Sequence, residues 1–176
     1  MTFYEAYKTA ITMFALKEND EKVKKITEAG LNAALRLIAS TYGKTKSLLF
    51  TPLKNVPYTL PNDFLFLQLL MQDANILSEN DYMIKSDFIL ITDPDIADTE
   101  LSLIYTYTPA LLTIKDNSNT ELPVNSLYEH AVINYACYHI AMQVGRMDIA
   151  DKFLNDFTLS TGIGKEDRNA RSSKKS

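Results

Sequence analysis

The sequence predicts an α+β fold that is mainly α: a helical bundle with a small antiparallel β insertion and an extended C-terminal tail. Three observations predict it. Near both ends of the chain apolar residues recur at helical spacing, as in Phe3, Tyr7, Ile11 and Phe14. In the middle, Leu101, Leu103, Tyr105 and Tyr107 alternate with Ser102, Ile104, Thr106 and Thr108, the period of a strand. Beyond residue 160 no apolar period remains.

Thr2-x-x-Glu5 is a capping-box pattern, so a first helix is expected to run to about Leu16. Asn19 opens a second, with Asp20 and Glu21 at the positive end of its dipole. The apolar stripe of that helix is Val23, Ile26, Leu31, Ala34, Leu35, Ile38 and Tyr42, and Gly43 stops it. The short link predicts an antiparallel hairpin of helices. Residues 44–60 hold two prolines and no clear period, which predicts a long surface connection. Pro61, Asn62 and Asp63 then start a short helix through about Gln72, which Phe64, Phe66, Leu67, Leu69, Leu70 and Met71 leave almost without a polar face.

The β insertion follows. "DYMIKSDFILIT" pairs two β-rich runs around Lys85-Ser86-Asp87, a hairpin spacing. After the acidic turn "DPDIADTE" comes the strand of residues 101–108, which Pro109 stops by removing a donor. "LLTIKDNSNTEL" adds a further turn of strand before a polar loop. Ser126-x-x-Glu129 is a second capping box, and the helix from Leu127 to Val144 is apolar on most sides, as in the middle of a bundle. Gly145 breaks it, and Asp148 caps a last helix carrying Ile149, Phe153, Leu154 and Phe157. The expected organisation is a bundle of residues 1–72 and 122–160, a β insertion of 73–121, and a flexible basic tail of 161–176. Leu60-Pro61 and Leu122-Pro123 read as the gates through which the chain leaves the bundle and returns.

Composition narrows the function. Of the 176 residues 46% are apolar, enough for a core, and 23% are charged. The tail holds five basic and two acidic residues, so its +3 leaves −7 of the net −4 on residues 1–160. The net charge of −4 and pI near 5.2 argue against a general nucleic-acid binder, which needs a basic face, and leave room for a local basic patch. The single cysteine, Cys137, excludes an internal disulfide and fits a reducing compartment. No apolar run approaches the roughly 18–20 residues that span a bilayer, and the N-terminus lacks the pattern of a signal peptide, so a soluble, cytosol-made chain is expected.

No constellation supports catalysis. His130 and His139 are nine residues apart on one helix, on opposite faces, and cannot form an i, i+4 metal pair. Cys137 and His139 are two apart and do not face each other, so Cys137 reads as a buried, inert thiol. Asp93, Asp95, Asp98 and Glu100 share one turn, but a calcium loop wants a ligand at position five and glycine at six, where Ala97 and Asp98 stand. A solvated, edge-protecting turn is the better reading. Gly162-Ile163-Gly164-Lys165 lacks the strand and spacing of a phosphate loop. Tyr105 and Tyr107 have no interleaved Arg or Lys for stacking bases, and packing explains them. No enzyme, cofactor or metal is expected.

Leu60-Pro61-x-Asp63-Phe64, the strand end Tyr105-x-Tyr107-x-Pro109, and an Ala-rich helix followed by Asp148-x-Ala150-x-x-Phe153 together resemble bacteriophage head-to-tail adaptor proteins. These are the connector or neck-ring proteins beneath the portal, including the tail tubular adaptors of short-tailed phages. The resemblance covers most of residues 1–160. It implies a virion protein, made in the host bacterial cytoplasm, whose copies form a ring, a dodecamer matching the portal. The ring extends the channel through which DNA passes without sequence-specific binding. It further implies a β insertion that contacts the next tail component, through Lys85, Ser86, Asp87, Asp93, Asp95 and Asp98. It also implies a C-terminal extension that docks on the portal protein, with Lys165, Arg168, Arg171, Lys174 and Lys175 acting electrostatically. A tail-completion or stopper protein of another neck layer, or a helical interaction module outside any virion, are the alternatives.

Overall fold

The computed structural model describes residues 1–164. The chain divides into two compact units. One comprises Met1–Tyr42 with the described residues from Pro109 onward, and the other is Gly43–Thr108.

The first unit is helical. Its elements are α1 (Phe3–Met13), α2 (Glu21–Tyr42), the short α3 (Ile114–Asn117), a 3-10 turn (Ser126–Tyr128), α4 (Glu129–Gln143) and α5 (Met147–Thr161). The Thr2–Glu5 capping box is formed, with the Glu5 amide donating to Thr2 Oγ1 at 3.2 Å and the Thr2 amide to Glu5 Oε2 at 2.8 Å. Asp20 caps α2, accepting from the amides of Lys22 and Val23. The expected box at Ser126 is not formed. Asn125 accepts from the Leu127 amide instead, and Glu129 pairs with the Met1 amino group at 2.6 Å. Asp148 lies inside the first turn of α5 and pairs with Arg146. Helix α4 packs against α1, α2 and α5, which is why no side of it reads as polar. The core is Phe3, Tyr7 and Ile11 from α1, Leu31, Leu35 and Ile38 from α2, Ile133, Cys137 and Ile140 from α4, and Phe157 from α5.

The second unit is all β. A four-stranded antiparallel sheet has the order β1 (Thr45–Phe50), β7 (Leu101–Tyr107), β3 (Phe64–Gln72), β4 (Asn75–Ile76). A three-stranded sheet has the order β2 (Tyr58–Thr59), β6 (Phe88–Ile91), β5 (Tyr82–Lys85). One core joins them, with Phe50, Leu70, Leu101 and Leu103 from the first sheet and Ile89 and Ile91 from the second.

The expectation of a mainly α fold is overturned. Of the described residues 43% are helix and 22% strand, with seven strands in two antiparallel sheets, a mixed α+β fold. The largest error is Phe64–Gln72, read as an apolar helix and found as β3, the strand beside β7. Two irregularities, between Phe64 and Phe66 and between Leu67 and Leu69, each insert an extra residue. The side chains that meet the core are therefore Phe64, Leu67 and Leu70, three apart, which imitates a helix. Residues 44–60, expected as a surface connection, contain β1 and β2. "LLTIKDNSNTEL" contains α3, not strand. The β unit thus begins at Gly43 and ends at Thr108, against the expected 73–121. Leu60-Pro61 lies inside it between β2 and β3, and Leu122-Pro123 lies inside the helical unit, so neither is a gate. The first residues of the expected tail are structured: Thr161 ends α5 and is buried, Gly162 closes the helix at φ +72, and Ile163 packs on the core.

Candidate functional site

Two of the motifs that carry the resemblance meet in the β unit. Tyr105 stands on β7 opposite Lys46 on β1 and Leu67 on β3. Its hydroxyl donates to Asp63 Oδ1 at 3.1 Å, and Lys46 Nζ pairs with Asp63 Oδ2. The Asp63 carbonyl accepts from the Thr108 amide at 2.7 Å, the Phe64 ring stacks on Tyr105 at 5.6 Å, and the Lys46 ammonium lies 4.3 Å from the centre of the Tyr107 ring. Lys46 first, and Tyr105 after it, hold the Asp63 carboxyl below its usual range against the opposing effect of burial. Burial, then the Asp63 hydrogen bond, pushes the Tyr105 hydroxyl up. This node is a brace. Its charge is internally matched, and it fixes the strand end that leads to Pro109.

The predicted interface residues separate into two places. Lys85, Ser86 and Asp87 form the turn of the β5–β6 hairpin, with Lys85 reaching over the Phe88 ring and the Asp87 carbonyl accepting from the Leu60 amide. Asp93, Asp95 and Asp98 follow the far end of β6. Four strand residues at about 3.3 Å each put about 13 Å between the two places.

At the far end of β6, two turns distant in sequence lie side by side. The amides of Thr92 and Asp93 donate to the Asp81 carbonyl at 3.0 and 3.4 Å, and Thr92 Oγ1 donates to the Asn80 carbonyl. Each turn is shaped by one of its own carboxylates: Asp81 accepts from the Ser78 amide at 2.7 Å, and Asp93 from the Asp95 amide at 2.8 Å. Asp98 stands at φ +64, a conformation Asp tolerates, with its amide donating to the Pro52 carbonyl. Six carboxylates, of Glu79, Asp81, Asp93, Asp95, Asp98 and Glu100, are thereby gathered on these two turns. None of them has an ion-pair partner among the described residues. Burial, then the charges of Glu79 and Asp81, raises the Tyr82 hydroxyl above its ordinary value. The sequence reading found only the second turn. The missing signal was the hairpin register, because a turn at 85–87 obliges residue 81 to lie beside 92.

The charge of the chain follows this division. Gly43–Thr108 holds four basic and nine acidic side chains, net −5, and the described part of the helical unit holds nine and eleven, net −2. Among the described residues no three His, Cys, Asp or Glu side chains converge as a metal would require. His130 is exposed, whereas His139 is half-buried beside the rings of Tyr135 and Tyr138, and burial lowers its pKa. Cys137 is buried with Sγ 3.4 Å from Met13 Sδ, and burial pushes its thiol up to about 12. No described helix is long and apolar enough to cross a membrane. The residues predicted to dock on a portal, Lys165, Arg168, Arg171, Lys174 and Lys175, lie outside the described residues.

The helical unit carries one further surface the sequence reading passed over. Lys22, Lys25, Ala29, Ala33 and Arg36 fall on one stripe of α2, and the extended segment Pro109–Thr113 lies beside it. Asn32 pins that segment: its side-chain NH2 donates to the Leu112 carbonyl at 2.8 Å, and its Oδ1 accepts from the Leu112 amide at 2.9 Å. Glu28 adds an acceptor for the Ile114 amide at 2.7 Å. Between helix and segment runs a groove of about 380 Å³.

No protein-family model matches this chain, and no curated protein gives a significant sequence match.

Proposed function

We propose that the chain is a structural subunit of a phage neck, one copy of a ring beneath the portal that joins capsid to tail and extends the DNA channel. The observation that carries the proposal is the Asp63–Tyr105 node. Leu60-Pro61-x-Asp63-Phe64 and Tyr105-x-Tyr107-x-Pro109 carry the resemblance to head-to-tail adaptors, and they are the two ends of one brace. Both motifs fall at the same end of the paired strands β3 and β7, which supports reading them as one structural unit. Net charges of −5 on the β unit and −2 on the described residues of the helical unit also suit a conduit wall, because a surface that does not neutralise phosphates lets DNA slide past it. In this reading the Lys85–Asp87 hairpin tip meets the next tail component, and the basic residues beyond 164 dock on the portal protein.

The test is the mass in solution of the chain mixed with the portal protein encoded beside it. One copy per portal subunit, twelve to a ring, is the expected result. A truncation after Gly164 keeps Thr161 and Ile163 in place and is expected to weaken that complex, most clearly at raised salt. Absence of any complex at low salt would move the protein to another neck layer or out of the virion.

A further inference from the structure

We infer that the groove on α2 is the seat of a neighbouring copy, and that what sits in it is the acidic end of that copy's β unit. The inference rests on the ring reading and supplies the contact between neighbours that a ring needs. A ring is built from heterologous contacts, in which one patch of a subunit meets a different patch of the next. Patches of opposite sign suit such a contact best on a chain of net charge −4.

The groove provides one patch. Lys22, Lys25 and Arg36 are exposed and lie on one stripe about 21 Å long, and none of them has an ion-pair partner among the described residues. The floor between them is Ala29 and Ala33, too short to fill the space, and the wall is Leu111, 62% exposed. The one carboxylate of the lining, Glu28, is already bonded to the Ile114 amide. Cations around an apolar floor form the pattern of an interface that selects an acidic partner and excludes water from its centre.

The acidic end of the β unit provides the other patch. Its six carboxylates make no ion pair among the described residues, and Glu79, Asp95, Asp98 and Glu100 are exposed. Copies whose β units each bear −5 repel one another wherever those units face, so a neighbour is tolerated best where the acidic end meets the basic groove. The same repulsion disfavours contacts of either patch with itself.

The test is sedimentation of the full chain at low salt over a wide concentration range, with two pairs of charge reversals. Lys25→Glu with Arg36→Glu reverses the groove. Glu79→Lys with Asp95→Lys lowers the acidic end from −6 to −2 at side chains that make no hydrogen bond, so both variants keep the fold, which circular dichroism verifies. The wild-type chain is expected to self-associate, with a dissociation constant raised about tenfold or more by either reversal and by added salt. An equimolar mixture of the two variants restores pairing, because the unaltered groove of one then meets the unaltered acidic end of the other. A wild-type chain that stays monomeric throughout, reversals without effect, or a mixture that fails to associate each overturns the inference. The ring reading stands or falls separately on the portal mass: a monomeric chain that still loads the portal overturns this contact alone, and self-association without portal loading overturns the ring alone.

Discussion

The Tyr105 hydroxyl reaches across its sheet to donate to Asp63 Oδ1 at 3.1 Å, while Lys46 holds the other oxygen of the same carboxylate. One side chain thus ties together β1, β7 and the turn that begins β3, and its own carbonyl takes the Thr108 amide where the unit ends. A single carboxylate serving two donors is the cheapest way to fasten three strands at a corner where the ladder runs out.

Replacing Asp63 by Asn keeps the shape and removes the charge. With Asp63 33% and Lys46 48% exposed, solvent screening limits the loss to about 0.5–1.5 kcal/mol at pH 7. The folded carboxyl titrates below its usual range, so its contribution is fully present above the unfolded value near ~3.9 and fades as pH falls through the lowered folded value. Urea unfolding of both proteins at pH 7 and at about pH 2.5 reads this directly. The gap between them should close in acid, and a gap that persists would show that the charge is not the cause.

Gly30 lets α2 approach α4. A Cβ there would sit 2.9 Å from Ala136 Cα and 3.0 Å from His139 Cβ, and the first of these is backbone that cannot turn aside. Gly30→Ala gains about 1 kcal/mol in helix propensity and loses about 1–3 in overpacking. A net loss of about 1 kcal/mol, seen as a lower thermal midpoint, is expected. A stabilised variant would mean that the helices separate without cost.

What could be read from the residues, and what could not, follows from how cleanly each element shows its period. Helix α4 was legible because a helix surrounded by three others has no polar side to hide. The β5–β6 hairpin and β7 were legible because turn chemistry and alternation agree. Strand β3 was hidden because two bulges respace its inward residues to Phe64, Leu67 and Leu70. Strand β1 was hidden because Lys46 stands opposite the buried Tyr105, its charge matched by Asp63, and a lysine beside Leu48 and Phe50 in the inward register breaks the expected alternation. Of the candidate site, the second acidic turn was legible as composition. Its union with Glu79 and Asp81 needed the strand register, and the groove needed the knowledge that Asn32 faces a strap 80 residues away.

Cys137 tests how tightly α1 closes on α4. Its thiol is fully buried, lies 3.4 Å from Met13 Sδ, and is raised by burial to about 12. At pH 8 the thiolate is scarcer than for a free cysteine by on the order of a thousandfold, before access is considered. Alkylation of the native chain should therefore be slower than in urea by at least that factor. Rapid labelling without denaturant would reveal that α1 lifts away on its own.

Asn32 offers the sharpest stability test, because it replaces a missing strand partner with a side chain. The amide satisfies both the N–H and the C=O of Leu112 in a buried setting, and also donates to the Glu28 carbonyl at 2.9 Å. Asn32→Leu leaves both Leu112 groups without partners and should cost about 2–4 kcal/mol. Asn32→Asp keeps the acceptor for the Leu112 amide, but sets a carboxylate against the Leu112 carbonyl and places a charge where Asn32 is only 9% exposed. Burial raises such a carboxyl, so its folded value exceeds the unfolded one, and the penalty is largest above the folded value and shrinks as pH falls through it. The protonated acid can donate where the Asn amide did. Thermal unfolding of both variants at pH 7 and pH 4 separates the two effects: Asn32→Asp should recover relative to wild type in acid, and Asn32→Leu should not. An Asn32→Asp deficit that does not shrink in acid would mean that the buried charge is not its cause, and an Asn32→Leu variant as stable as wild type would mean that Leu112 finds other partners.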